Sequence, residues 1–193
     1  MSILVLTSDT LIGTPAAGNV EYNGQFYGTD SNNARAQLQR ITQGTSVAST
    51  SGTSIDFTAL PAWVKRITVM LNGVSTSGIS DLVCQIGSGS IVTTGYVSSY
   101  SAFNNAPTAS STTASFGLFN NVTAATTRNC VITITNITGN VWIQSSVGSS
   151  SAPQVSSGSG SLTLAGALDR VRITTANGTD TFDAGSINIM YEG

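Results

Sequence analysis

The sequence predicts an all-β protein: an antiparallel β-sandwich, jelly-roll-like, behind a short amino-terminal arm. Three observations predict it. Composition comes first, with 28 Ser and 27 Thr among 193 residues, against 7 basic and 9 acidic ones. Thr, Val, Ile and aromatics suit a pleated, half-buried surface and Gly, Asn and Ser suit turns, whereas helical proteins lean on Ala, Glu, Lys and Leu. Next, from Ile55 onward short apolar stretches recur between turn clusters, the spacing of a sandwich or barrel. Finally, 40% hydrophobic residues with a net charge of −2 argue against disorder. A chain of this length favours one core that buries roughly 70% of the unfolded surface, without help from a cofactor.

Residues 1–45 read as an arm or attachment segment, with Gly13, Pro15, Gly18, Gly24 and Gly28 punctuating short apolar pieces such as Val20 to Tyr27. Within it, Ala34, Leu38 and Ile41 fall at helical spacing, which predicts a short helix over 33–41 capped by Asn32 or Asn33. The hydroxyl-rich Gly44 to Thr53 leads into the sandwich, residues 46–193. Its clearest strand is Trp63 to Leu71, where Ile67, Val69 and Leu71 share one face and Arg66, Thr68 and Met70 the other. That strand is expected to close at an Asn72-Gly73 turn. Further strands are expected at Asp81 to Ile86, Ser115 to Phe119, Cys130 to Thr135, Asn140 to Ser145, Ser161 to Leu164, Asp169 to Thr174 and Ser186 to Tyr191. Cys130 to Thr135 and Val141 to Ile143 should form a hairpin turning through Ile137 to Asn140. The stretches Val92 to Ser115 and Ser145 to Ser161 read as exposed loops. Strand order is not legible, and no repeat of solenoid length is visible.

Several function classes are disfavoured. The absence of His removes the commonest general base and metal ligand together. Cys84 and Cys130 stand apart in apolar stretches, so buried free thiols are favoured over a bridge. One Lys and six Arg, scattered, make no stripe for phosphates, so nucleic acid is not an expected partner. The leading MSILVLTSDT has no basic region and only a four-residue apolar run, and no stretch approaches the ~20 apolar residues of a membrane helix. The expectation is a soluble product of a cytoplasm, with no membrane partner, cofactor or metal, and no enzymatic activity.

GTPAAGNVEYNGQFYGT (Gly13 to Thr29) resembles a segment recurrent in tail-fibre and other virion proteins of tailed bacteriophages. SGTSIDFTALPAWVKRITVMLNGVSTSG (Ser51 to Gly78) and VRITTANGTDTFDAGSINIMYEG (Val171 to Gly193) are similar to phage structural modules that end in a β-strand. The resemblance implies a virion component, β-rich and symmetric, trimeric above all, displayed outside the particle and docked on other virion proteins. A fibre or tip is the leading reading and a capsid decoration (cement) protein the alternative. From another class comes a polysaccharide-binding or depolymerising protein.

Two sets of residues are candidate sites. Tyr96, Tyr100, Phe103, Asn104 and Asn105 mix rigid aromatics with adaptable amides, the palette of a binding loop that could meet host cell-surface polysaccharide. The plainer reading is that these aromatics pack. For attachment the candidates are Val20, Tyr22, Phe26, Tyr27, Arg35 and Arg40, the two Arg reading either as docking groups for an acidic partner or as solvated charges. Asp180 and Asp183 form the one close acidic pair, but their odd spacing separates them in a strand, and a polar turn is favoured over a carboxylate pair or a Ca²⁺ site. Asn121, Asn136 and Asn177 begin glycosylation-type triplets that chance explains in so Thr-rich a chain. Trp63 and Trp142 read as core or interface aromatics.

Overall fold

The computed structural model describes residues 10–23, 25–120, 123–124 and 126–193. The leading apolar run Ile3 to Leu6, Gly24, and Asn121 and Val122 of the Asn121 triplet lie outside them. The described residues contain strands and turns and no helix, and the chain divides into two compact units after Arg40.

The leading unit is a three-stranded antiparallel sheet, β1 (Val20–Tyr22), β2 (Phe26–Thr29) and β3 (Arg35–Gln37). The helix expected over 33–41 does not form. Asp30 Oδ1 accepts the N–H groups of Asn32 and Ala34 at 2.8 and 2.9 Å, making a turn, and Asn33 sits in the left-handed region at φ 60°. A short isolated helix is costly to nucleate, and the β2 edge supplies a ladder instead: Gly28 pairs with Ala36, and the Leu38 N–H reaches the Phe26 carbonyl at 2.9 Å.

The second unit begins earlier than residue 46, because β4 (Ile41–Gln43) already pairs with the last strand. Then follow β5 (Val47–Ala48), β6 (Ser54–Phe57), β7 (Arg66–Thr76), β8 (Leu82–Ser88), β9 (Ser90–Ile91), β10 (Val97–Phe103), β11 (Thr108–Thr112) and β12 (Phe116–Phe119). The chain ends with β13 (Arg128–Thr138), β14 (Val141–Ser150), β15 (Val155–Thr163), β16 (Arg170–Thr175) and β17 (Phe182–Glu192). Two antiparallel sheets form the sandwich. The larger runs β11-β10-β15-β14-β13-β7-β17-β4, with β5 also on β17; the smaller runs β12-β8-β16-β6, with β9 on β8. Between them lies an apolar core that includes Ile67, Val69, Ile132 and Ile134 from the large sheet and Cys84, Ile86, Val171 and Ile173 from the small one. The expected alternation on β7 holds, with Ile67, Val69 and Leu71 buried. So does the β13–β14 hairpin, which turns at Gly139 with φ 52°.

Two expectations are corrected. Asn72-Gly73 is not a turn; β7 runs through it to Thr76. Gly73 adopts φ 63° and forms a bulge, and opposite it β17 carries two irregularities around Ala184. A bulge shifts the period of two by one residue. Leu71 and Val74, and Phe182 and Ile187, are thereby all buried despite odd separations.

The second correction concerns Val92 to Ser115 and Ser145 to Ser161, which hold β10, β11, the end of β14 and most of β15. The inward positions of β14's end and of β15 carry little bulk because aromatic rings from the opposite side fill the space. A Cβ on Gly148 would lie 2.3 Å from Phe119 Cζ, and one on Gly160 2.9 Å from Phe116 Cδ1. At Gly158 a Cβ would stand 2.6 Å from the Gly117 carbonyl oxygen. Gly and Ser let the strands of the two sheets approach where β12 packs across β10, β14 and β15.

Candidate functional site

Of the predicted recognition residues, the structure sends two inward. Tyr96 is 1% exposed, its ring edge-on to Phe116 at 4.8 Å, and its Oη accepts the Ile86 N–H at 2.9 Å while facing the Val92 carbonyl at 3.0 Å. Tyr100 is buried against Gly117 and donates its hydroxyl to Asp81 Oδ2 at 2.6 Å, a tie between the two sheets' edges. These aromatics pack, because the small residues opposite leave room for whole rings. Phe103, Asn104 and Asn105 stay at the β10–β11 hairpin tip: Phe103 and Asn105 are exposed, and Asn104 Oδ1 accepts the Ala106 N–H at 2.9 Å.

The leading unit assembles the attachment candidates on one small sheet. Val20 and Phe26 are exposed, and the Tyr22 ring meets Phe26 at a 44° tilt with centroids 5.0 Å apart. Tyr27 lies on β2 opposite Gln37 and is half-buried. Arg35 is engaged within its own unit, its Nε 2.8 Å and Nη2 3.0 Å from the Glu21 carboxylate, so neither a free docking charge nor a merely solvated one describes it. Arg40 closes the unit and has an interaction of its own.

Asp180 and Asp183 are not a working pair. Asp180 organises a turn, accepting the Ser80 N–H at 2.9 Å and the Asn177 side-chain amide at 2.7 Å, while Asp183 is hydrogen-bonded by the Ser75 hydroxyl. Among the described residues no group of three or more Cys, Asp or Glu is placed to hold a metal ion. Both cysteines are free and buried. Burial pushes the Cys130 thiol up to about 12 and the Cys84 thiol higher still, so neither is a nucleophile near neutrality. Burial also raises the phenols of Tyr96 and Tyr100.

These four groups keep their protons in the folded state after the unfolded chain has lost them. Stability is then fully present below the ordinary thiol value of 9.0 and falls as pH rises through the folded values. Each group contributes a slope of roughly 1.4 kcal/mol per pH unit in its window. Urea unfolding at pH 8 and pH 10.5 should show the midpoint drop, and Cys84→Ala should flatten the fall.

Two surfaces differ sharply in charge. On the small sheet's outer side a cleft is lined by Asp56, Ile91, Arg170 and Arg172. Arg172 clasps Asp56 with contacts of 2.7 and 2.6 Å, and Arg170 lies on Asp169 at 2.7 and 3.1 Å. Hydrogen bonds from Arg170 hold the Asp169 carboxyl below its usual value. The cleft is thus internally neutralised.

The large sheet's outer side is the opposite. Between Asp81 and Asp169 the one charged residue is Arg128. It is 1% exposed, and it donates to the Thr126 and Thr123 carbonyls at 2.7 and 2.9 Å. Strands β11, β10, β15, β14 and β13 therefore turn a charge-free face outward, including a shallow groove lined by Ser99, Ser101, Phe103, Ser111, Ser157 and Ser159. Its sequence signal is the alternation in VWIQSSVGSS, where Ile143, Ser145, Val147 and Ser149 face out and Trp142, Gln144, Ser146 and Gly148 face in.

No family model, no curated protein and no solved structure matches this chain.

Proposed function

We propose that the protein is a non-enzymatic structural component of a bacteriophage virion, fibre- or tip-like, docked by its leading unit and carrying the sandwich outside the particle. The observation that carries this reading is the division of the chain itself. A small three-stranded unit presents Ile12, Val20, Phe26 and Leu38, each about half exposed or more, while the much larger sandwich is almost devoid of charge across its middle. Apolar burial supplies affinity without a specific charge partner, and scarce charge spares repeated copies mutual repulsion. Assembly as a homo-oligomer suits the same economy of charge, and a trimer is what the resemblance to phage fibre proteins implies.

Docking rather than catalysis also suits the reactive groups. The thiols are protonated and buried, Asp180 is occupied by hydrogen bonds in a turn, and Asp183 by the Ser75 hydroxyl of the neighbouring strand. The wrapping is read as jelly-roll-like: β6, β16, β8 and β12 interleave early and late strands in one sheet, as do β7, β13, β10 and β11 in the other, with β14 and β15 inserted. Host contact, in this reading, falls to the exposed hairpin tip at Phe103, Asn104 and Asn105 and not to Tyr96 or Tyr100.

Purified particles probed with antibody against this chain should label at a projecting structure. Absence of the protein from washed particles would overturn the reading, and uniform label over the head would favour a decoration protein.

A further inference from the structure

The large sheet's outer face combines two patterns that the register brings together. One is a hydroxyl row across five strands: Ser99, Ser159, Ser145, Thr133 and Thr68 are successive cross-strand neighbours. The other is a diagonal apolar stripe. Phe103 pairs with Val155, which stands one diagonal step from Val147; Val147 pairs with Val131, and Val131 with Met70. Phe103, Val155, Val147 and Val131 are 53, 51, 64 and 54% exposed, an unusual concentration for a sheet face turned to water.

We infer that this face is where copies of the chain pack against one another, the stripe of one copy seating against the small-residue groove or the stripe of the next. The inference rests on the multi-copy assembly proposed above and names its surface. Three features favour a second copy as occupant. The face carries no charge on β11, β10, β15, β14 and β13, and the exposed charges of the sheet's outer side stop at Arg66, paired with Glu192 at the far end, so copies meet without like-charge repulsion. Charge depletion with aliphatic and aromatic groups is also the composition of an interface core. Second, hydroxyls both donate and accept, so a row of them is its own chemical complement in either orientation. Third, the extent fits. The five charge-free strands from β11 to β13, at the usual spacing and rise and a mean length of about 8 residues, span about 24 Å by about 28 Å, on the order of 700 Å² a side, within the range of a standard stable interface.

The test is the mass of the full-length chain by light scattering at micromolar concentration, for the wild type, Val147→Arg and Ile79→Arg. Val147 points outward from mid-strand, and Ile79 is an equally apolar, 75% exposed residue between β7 and β8, off the face. The expected result is a wild-type mass that is a small multiple of 19.7 kDa, a fall to the single-chain mass for Val147→Arg, and no change for Ile79→Arg, with the same far-ultraviolet circular dichroism spectrum for all three. An oligomer that survives Val147→Arg would overturn this face while leaving multi-copy assembly intact. Dissociation by Ile79→Arg as well would overturn its specificity. A monomeric wild type would overturn both this inference and the proposed assembly.

Discussion

Replacing Tyr96 by alanine is expected to destabilise the sandwich by about 4 kcal/mol, the range for a fully buried large aromatic. The ring packs in the core against Phe116, with centroids at 4.8 Å. Tyr96→Phe separates the hydroxyl from the ring. It keeps the packing but strips the Ile86 N–H of its 2.9 Å acceptor in a dry interior, which costs about 2 kcal/mol for an unsatisfied buried donor. Equilibrium urea unfolding of the two variants measures both figures. A Tyr96→Ala protein as stable as the wild type would mean the side chain is a surface group after all.

The second large effect is expected at Gly158. Alanine there places a Cβ 2.6 Å from the Gly117 carbonyl oxygen and 3.0 Å from Ser146 Oγ, and the first of these neighbours is backbone that cannot rotate away. The sheets must part locally, at about 3 kcal/mol, the upper range for overpacking. Alanine's lower unfolded-state entropy returns less than 1 kcal/mol of that, roughly. Gly178→Ala is a useful contrast: it has open space around it, so its cost is confined to the strain of φ 68°. A Gly158 variant whose urea midpoint fell no further than that of Gly178 would refute the tight approach of the sheets.

How much of this was legible in the sequence depended on which residues carried the pattern. Strand β7 and the β13–β14 hairpin announce themselves because Ile67, Val69, Leu71, Ile132 and Ile134 alternate with polar neighbours, a local signal that survives any tertiary context. Strands β10 and β15 do not, since small residues hold most of their inward positions, Ser98 and Ala102 on β10 and Ser156 and Gly158 on β15. Those residues are small because Phe116, Phe119 and Tyr100 press on them, a demand set by partners distant in sequence. The same cause sent Tyr96 and Tyr100 to the interior when their Ser- and Asn-rich surroundings suggested a surface loop. At Ala34, Leu38 and Ile41, helical spacing coincided with a turn and the starts of two pairings. The exposed tip at Phe103 to Asn105 could be read from the Asn-Asn dipeptide, whereas the charge-free face needed the register of five strands before its side chains could be set beside one another.

The bulges at Gly73 and around Ala184 have a consequence for how the chain can change length. A residue gained or lost in a surface loop leaves every strand's facing as it was. Gain or loss of a single residue at Gly73 would instead reverse the facing of everything between it and the end of β7, turning the buried Val74 and Thr76 to water. Length is therefore most tightly held at an Asn-Gly dipeptide that, read along the chain, looks like the safest place to alter it.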